Sequence, residues 1–588
     1  MKKYLYSISI LAAFMTQDVM AQDDKNQPSK SEVGKEEVTI VSDYQATLSD
    51  VFKINDNPLI NDEDLNQRRE IDYTIFSVPV ASTFTPEKGA AARVNSDSLA
   101  HFYNNYALLG YGNYGTLRAE LGIVEHIGSN NMYLGGLFKH ISSDGGIDGL
   151  YFDDDFRKTS LDFNFGQKNN DNQWKAQFGA MDSKYNWYGT PENFNSSDFS
   201  LNTIDANHKF NDVHLSASYE SYTKAFEKMD VTYKYFWDDF DSKESRLVLN
   251  PKFHINLPNQ TKVHVNVEAD YLNTSFSNHY LVNQNNKNSN FNLSLNPSIK
   301  FFNTDYSLEL GAGLTYILGK NNGVENNSVV VYPMIKANYV LVKDIVQAYA
   351  GAVGGVQQNS YADLAEENPF VAPDLELNPT KTLYDLYLGM RGKLYHNISY
   401  NIKAGYKAED DKAMFSINPL EAGLSNRLGF QYGNSFGLLY DQIKTYYAFG
   451  ALNFEFSDDV TINLSGTYNH YKAENYENAF HLPQAKINAN VLINFNKQWF
   501  TDLNFAYIGQ RFDYVQPQEI GGVITYFDDT KIEDFVDFNL TVGYRPSSQW
   551  MIFLKGNNIF NQNYYRFNQY EAQGFQVFGG AMYKFDLK

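Results

Sequence analysis

The 588 residues carry 69 Asp and Glu against 48 Lys and Arg, a formal net charge of −21 that excludes the basic footprint a nucleic-acid partner needs. No cysteine is present, which excludes disulfides, thiolate metal sites and a lipid-anchoring cysteine. Aromatic residues make up 16%, with 44 Tyr and 43 Phe, yet the mean hydropathy is −0.46, as expected of strands with one apolar and one polar face.

The chain opens with Lys2-Lys3, an apolar run from Tyr4 to Phe14 and a Val19-Met20-Ala21 site with small residues at both key positions. These are the parts of a secretory signal peptide, residues 1–21, set aside from fold reasoning. The run is too short for a membrane helix, and no other segment qualifies. Residues 22–36 are polar and charged, Glu37-Val38-Thr39-Ile40-Val41 is a short extended segment, and Ile71–Val80 is a possible strand. Residues 22–102 as a whole read as an N-terminal linker with no assigned fold.

From Tyr103 onward the texture is repetitive, and residues 103–588 read as one domain. Ser245 to Tyr271 shows the pattern at its plainest. Leu247, Leu249, Phe253, Ile255 and Leu257 alternate with Arg246, Asn250, Lys252, His254 and Asn256. After Pro258-Asn259-Gln260 the same phase resumes, with Val263, Val265, Val267, Ala269 and Tyr271 against Lys262, His264, Asn266, Glu268 and Asp270. Period-2 alternation means strands with one apolar and one polar face, and each arm is long enough to cross a bilayer when tilted.

Tight polar turns recur at Ser129–Asn131, Asn169–Asn172, Asn211-Asp212, Pro258–Gln260 and Asn303–Asp305. They continue at Lys343-Asp344, His396-Asn397, Asp458-Asp459, Lys497-Gln498 and Ser547–Gln549. Longer acidic or Gly-rich segments lie between them, such as Ser142–Asp155, Tyr361–Thr380, Asp411–Gly437 and Val515–Glu533. Tight and long connections are therefore expected to alternate strictly. Ten tight turns, a first strand near 104–112 and a last near 574–585 predict an all-β, 22-stranded antiparallel transmembrane β-barrel with a short N-terminal periplasmic or luminal segment. A β-propeller also repeats every 40–50 residues, but its blades are evenly spaced, and these turns are not.

Near the C-terminus, Phe553-Leu554-Lys555-Gly556-Asn557-Asn558-Ile559-Phe560-Asn561-Gln562-Asn563-Tyr564 resembles the penultimate-strand motif of TonB-dependent receptors. Gly574 to Phe585 is similar to their final strand, with Phe575, Val577, Gly579, Ala581, Tyr583 and Phe585 on one face. The resemblance covers roughly 104–588, and the Tyr/Asn/Asp-rich loops are most like Bacteroidota versions. It implies a 22-stranded barrel in the cell outer membrane, engaged in uptake. Two departures stand out: Asp586-Leu587-Lys588 follow the final aromatic, and 22–102 is shorter than that family's N-terminal plug. A reduced or absent plug is expected; residues 22–102 folded inward, the loops Tyr361–Thr380 and Asp411–Gly437 dipping into the mouth, or a partner protein would occlude the lumen, and part of 42–102 is expected at the periplasmic mouth or in the lumen. Glu37–Val41 loosely resembles the segment that contacts TonB.

Catalytic, cofactor-binding and metal sites are all expected to be absent. Gly433-Asn434-Ser435-Phe436-Gly437 matches a nucleophile elbow, but that motif needs a strand-turn-helix, and here a strand, Leu438–Phe456, follows. Asp153–Asp155, Asp238-Asp239 with Asp241, Glu366-Glu367 and Asp528-Asp529 lack the spacing of a Ca²⁺ loop. They read as solvated loop tips facing lipopolysaccharide. The expected function is uptake of an unidentified solute by a receptor-like barrel. The alternative is a non-conducting structural subunit that docks a lipoprotein or other outer-membrane machinery; an enzyme is a distant third. Expected partners are outer-membrane lipid and lipopolysaccharide, with a lipoprotein or TonB-type protein, and no nucleic acid.

Overall fold

Alternation of side chains along the chain is the physical cause of the architecture. In the strand Tyr306–Asn321, Leu310, Leu314, Tyr316 and Leu318 point outward and are exposed, while Thr315 and Ile317 between them are buried. A face of this kind cannot be satisfied singly, and closing the sheet on itself leaves no unpaired edge. The computed structural model describes residues 103–587, apart from 129–130, 192–193, 259–261, 281–285, 344, 421–426, 458, 515–517, 521–522 and 526–528. The expectations for the signal peptide, for 22–102, for Glu37–Val41 and for Ile71–Val80 lie outside these residues.

Twenty-two strands form one antiparallel sheet. The first five are β1 (Asn105–Gly112), β2 (Leu117–Ile127), β3 (Met132–Ser143), β4 (Phe156–Lys168) and β5 (Asn172–Asn186). Next come β6 (Asn207–Ser221), β7 (Phe226–Asp238), β8 (Lys243–Asn256), β9 (Lys262–Phe276) and β10 (Asn286–Phe302). They are followed by β11 (Tyr306–Asn321), β12 (Val324–Val342), β13 (Val346–Gln357), β14 (Thr380–Tyr395) and β15 (Ile398–Ile417). Then come β16 (Phe436–Ser457), β17 (Val460–Ala473), β18 (Ala485–Asn494) and β19 (Trp499–Ile508). Three closing strands remain, Phe535–Tyr544, Trp550–Asn557 and Gln576–Phe585. Each strand pairs with its neighbour in sequence, and the last pairs with β1 from Asn105↔Phe585 to Gly112↔Phe578. The barrel is closed.

Nine of the predicted tight turns join strands at one end of the barrel, the end where Asn105 and Phe585 also lie. The tenth is a correction. Asn211 and Asp212 sit in mid-β6, paired with Asp182 and Met181, and the chain turns instead at 222–225. Asp212 prefers the strand because its inward carboxylate meets His214 Nδ1 at 2.8 Å. The true turn (Tyr222-Thr223-Lys224-Ala225) has no Asn, Gly or Pro to announce it.

Strict alternation of tight and long connections also fails. The loop end has short connections at 113–116, 239–242 and 322–323. The last is Asn322-Gly323, with φ of 50° and 86°, the backbone that a two-residue hairpin demands.

Exposed apolar residues circle the outer wall, among them Leu134, Phe163, Phe178, Leu215, Ile255, Leu295, Val331, Leu388 and Leu554. So continuous a face is solvated by lipid, not water. Near the turn end Trp499 lies 4.6 Å from Tyr544 and Trp550 4.8 Å from Tyr583, ring centroid to centroid, as in an interfacial aromatic belt. Among the described residues no helix is long and apolar enough to cross a membrane. The strands cross it.

Inward tyrosines lie flat over glycines on the neighbouring strand. A Cβ on Gly351 would meet Tyr387 Cζ at 2.3 Å, and one on Gly389 would meet Tyr349 Cζ at the same distance. The missing side chain makes room for the ring against the wall, so a bulky aromatic lines the lumen without filling it.

Candidate functional site

Strands β15 and β16 run 20 and 22 residues, about twice what a tilted strand needs to cross a bilayer. Their outer parts rise beyond the lipid and wall a cap built from the connections 144–155, 187–206, 358–379, 418–435 and 558–575. Three of them overlap the longer acidic or Gly-rich connections read from the sequence, Ser142–Asp155, Tyr361–Thr380 and Asp411–Gly437. All five pack together. Trp187, Tyr361, Val371, Leu377, Phe430 and Phe436 are fully buried in one apolar cluster that also takes Phe210 and Phe236 from the wall. Phe370 stacks on Tyr570 at 3.6 Å between ring centroids, and Trp187 stacks on His208 at 4.2 Å.

Hydrogen bonds tie the loops to one another. Trp187 Nε1 donates to Phe370 O at 3.1 Å, Tyr188 Oη to Glu571 O at 2.9 Å, and Tyr280 Oη to Pro419 O at 2.7 Å. Tyr570 Oη donates to Asn434 O, and Asn434 Nδ2 reaches Trp187 O at 3.0 Å. Burial of a large apolar side chain contributes about 1.5–3 kcal/mol and a net hydrogen bond about 1 kcal/mol. Aromatic packing therefore holds the cap shut, and the polar contacts set its register.

Two devices join the cap to the wall. On β10 the inward Asn286, Asn288, Asn290 and Asn292 form a ladder of amides. Asn288 Nδ2 donates to Leu375 O at 3.0 Å, Asn290 Nδ2 to Leu377 O at 2.9 Å, and Asn292 Nδ2 to Gln358 Oε1 at 2.7 Å. The second device grips the helix Tyr361–Glu367. Glu244 of β8 accepts the N–H groups of Tyr361 at 2.6 Å and Ala362 at 3.1 Å, which the helix's own geometry leaves unpaired. Arg246 bridges Asp270 and Asp363 at 2.7 Å each.

Below the cap the inner wall is polar, as the alternation predicted. Its polar residues meet across strands: His254 and His264 approach Glu227 Oε1 at 2.9 and 3.2 Å, and Asn250 donates to Glu268 at 3.2 Å. On β13–β16 the wall presents Tyr349, Tyr387 and Tyr447, with Lys403 Nζ 5.4 Å from the Tyr387 ring and 5.1 Å from that of Tyr447. Strands β18 and β19 offer amides, with Asn490 donating to Asp502 at 2.6 Å and Asn504 at 2.9 Å.

Ser435 of the Gly-x-Ser-x-Gly match is fully buried. Its hydroxyl donates to Phe430 O at 2.7 Å and accepts from Asn418 Nδ2 at 2.9 Å, and strand β16 follows. It is a cap residue. The acidic clusters depart from expectation only at Asp154 and Asp238; Asp153, Asp239, Asp241, Glu366 and Glu367 are exposed. Asp238 is buried and accepts from Tyr361 Oη, Phe240 N and Ser242 N, while Asp154 accepts from Gly146 N and Ile147 N. Burial pushes the Asp154 carboxyl above its usual range against the pull of those N–H donors. Glu366 stays exposed, 3.9 Å from Lys158, and Asp529 accepts from Asn478 at 2.7 Å. Among the described residues no group of three His, Cys, Asp or Glu side chains is placed to hold a metal ion.

The cap residues escaped the sequence reading because they are scattered over several loops. One signal was available: the period-2 amides from Asn286 to Asn292, too regular for solvent exposure.

By sequence, no family model and no curated protein matches this chain. Solved structures do. The FrpB iron transporter from Neisseria meningitidis superposes with a TM-score of 0.61 at 11% identity, over 83% of this chain and 82% of that one. The ferric-catecholate import receptor Fiu from E. coli gives 0.59 at 10%, over 82% of each chain. The ferripyoverdine receptor of the Pseudomonas aeruginosa outer membrane gives 0.58 at 12%, over 83% and 72%. The fold is that of outer-membrane receptor barrels. With its lipid-facing band and closed sheet, this chain is an outer-membrane barrel.

Proposed function

We propose that the protein imports a solute too large or too scarce for open pores, as a TonB-dependent-receptor-like transporter. The observation that supports this reading is a lumen of 22-strand width held shut at its loop end by the chain's own packed loops. A diffusion pore would leave that path open. The polar wall of tyrosines, amides and paired charges suits a large hydrogen-bonding solute. Because the similar structures are named for iron and siderophore uptake, ferric chelates are the first class to test. Part of 42–102 is proposed to seal the turn end as a reduced plug, with Glu37–Val41 engaging a TonB-type partner.

The fixed, heavily cross-bonded cap supports a second reading, a non-conducting subunit that docks a lipoprotein. Uptake of labelled ferric chelates and other large polar solutes, compared between a deletion strain and its complemented parent, separates the two. Loss of uptake of one solute supports transport. Unchanged uptake throughout, with a fixed partner recovered at stoichiometric yield in mild detergent, supports the scaffold.

A further inference from the structure

Opposite residues on neighbouring strands put their side chains on the same face, so the register of β13–β16 fixes what stands together on the inner wall. One row runs Gly351, Tyr387, Gly405, Tyr447 across the four strands, and the next runs Tyr349, Gly389, Lys403. Arg391 belongs to a third row, opposite Gln347. Rings and cations follow one another without a break. The Arg391 guanidinium lies 5.6 Å from the Tyr349 ring centroid, and the Tyr349 and Tyr387 rings are 6.2 Å apart. Lys403 Nζ then sits 5.4 Å from the Tyr387 ring and 5.1 Å from that of Tyr447. With strands about 4.8 Å apart, the group spans about 15 Å of wall.

Cations on other sectors of the inner wall meet carboxylates: Lys228 meets Asp230 at 3.1 Å, Arg246 meets Asp270 at 2.7 Å, and Lys407 meets Glu409 at 2.9 Å. Lys403 and Arg391 do not. Arg391 Nε donates to Gln347 Oε1 at 2.9 Å, a neutral amide, and Lys403 has the two rings. Among the described residues neither cation lies within ion-pair distance of a carboxylate. The carboxylates nearby are committed elsewhere. Asp385 accepts from Tyr447 Oη at 2.7 Å, and Glu309, opposite Lys336 in the β11–β12 register, accepts from Ser298 Oγ at 2.7 Å. Ring faces attract a cation and hold it in place, but they leave its charge unneutralised. Two such cations among three rings suit a flat ring that carries negative charge. The carboxylates of such a ring would accept charge-assisted hydrogen bonds while its faces stack on tyrosine.

We propose that this sector of the wall is an internal station, below the cap, for a solute that carries carboxylates on a flat ring. Arg391 and Lys403 hold the carboxylates, and Tyr349, Tyr387 and Tyr447 hold the ring. The inference rests on the transport reading and names a class of solute for it. Recognition is by charge and ring, and it requires no metal.

The test is equilibrium dialysis of the purified full-length protein in detergent. The probes are isophthalate for an aromatic ring and digalacturonate for a sugar ring, with isophthalamide as the uncharged reference. One of the two anions should bind saturably, which tells the aromatic from the sugar source, and isophthalamide should not bind. Lys403→Gln with Arg391→Gln should weaken that binding by about tenfold or more. Lys336→Gln with Lys407→Gln removes the same charge from the wall and should leave it unchanged. Equal losses in the two double variants overturn the proposal. So does the absence of binding by either anion, even when Asn288→Ala with Asn290→Ala loosens the cap. If Lys403→Gln with Arg391→Gln does not fold, amine-reactive labelling of the unaltered protein decides. The bound anion should shield Lys403 and not Lys336, and unaltered labelling of Lys403 overturns the station. In cells, intact binding with no uptake of any solute sinks the transport reading alone. Uptake of an anionic solute undiminished by Lys403→Gln with Arg391→Gln sinks the station alone.

Discussion

The Tyr361 hydroxyl donates to Asp238 Oδ2 at 2.8 Å, joining residues 123 apart in sequence. Asp238 ends a barrel strand and Tyr361 begins the cap helix, so this bond is where wall and cap meet. His208 Nε2 lies 3.4 Å from the same oxygen. Tyr361→Phe keeps the ring in its aromatic nest but removes the donor. The expected cost is about 1–3 kcal/mol, the penalty for a buried acceptor losing its partner. It should read out as faster proteolysis in 358–379, while heat-modifiable migration of the barrel on gels is unchanged.

The amide ladder predicts a functional gate. Asn288→Ala with Asn290→Ala removes two donors to the 358–379 backbone, each worth about 1 kcal/mol. The barrel wall should survive, because ladder pairing of β10 with β9 and β11 is untouched. Planar-bilayer recordings should then show larger or more frequent openings than the unaltered protein. Identical traces would mean that apolar packing alone keeps the cap closed.

The flat tyrosines predict a steric coupling. Gly351→Ala places a methyl group 2.3 Å from Tyr387 Cζ and should cost about 1–3 kcal/mol in urea-dependent refolding into vesicles. The same change in a Tyr387→Ala background should cost much less, since the three atoms nearest that methyl all belong to the Tyr387 side chain. Additive effects in the double variant would show that the ring swings away freely.

The buried Asp154 predicts a pH dependence. Burial raises its pKa above the usual carboxylate range, so folding of the 144–155 loop takes up a proton. The stabilisation this gives is fully present below the unfolded pKa and is lost as pH rises through the folded one. Protection of this loop from an acid-tolerant protease should therefore improve on acidification from neutral. Asp154→Asn retains an acceptor for the Gly146 and Ile147 N–H groups but cannot titrate, and should flatten the difference.

The barrel was legible because its signals are local. Period-2 alternation in Lys243–Asn256 and Lys262–Phe276 sets which face meets lipid, and a hairpin partner is always the next strand along. Where the local signal misleads, so does the reading. Asn211-Asp212 has turn chemistry, yet its strand neighbours and the His214 contact hold it extended, while Tyr222–Ala225 turns without any marker. Asn322-Gly323 is a hairpin signal at the loop end, for which a strict alternation of tight and long connections leaves no place.

By itself, then, the sequence determined a closed, lipid-facing barrel with a polar lumen, because each strand's faces are written in adjacent residues. Only the tertiary structure decided that the loops close over the mouth. Phe370 meets Tyr570, Trp187 meets Phe430 and Asn288 meets Leu375 across long stretches of chain with no shared period. An aromatic in a loop looks the same in sequence whether it faces water or another loop. What settles it is which loops the barrel brings to one rim, and that depends on the curvature and register of the whole sheet.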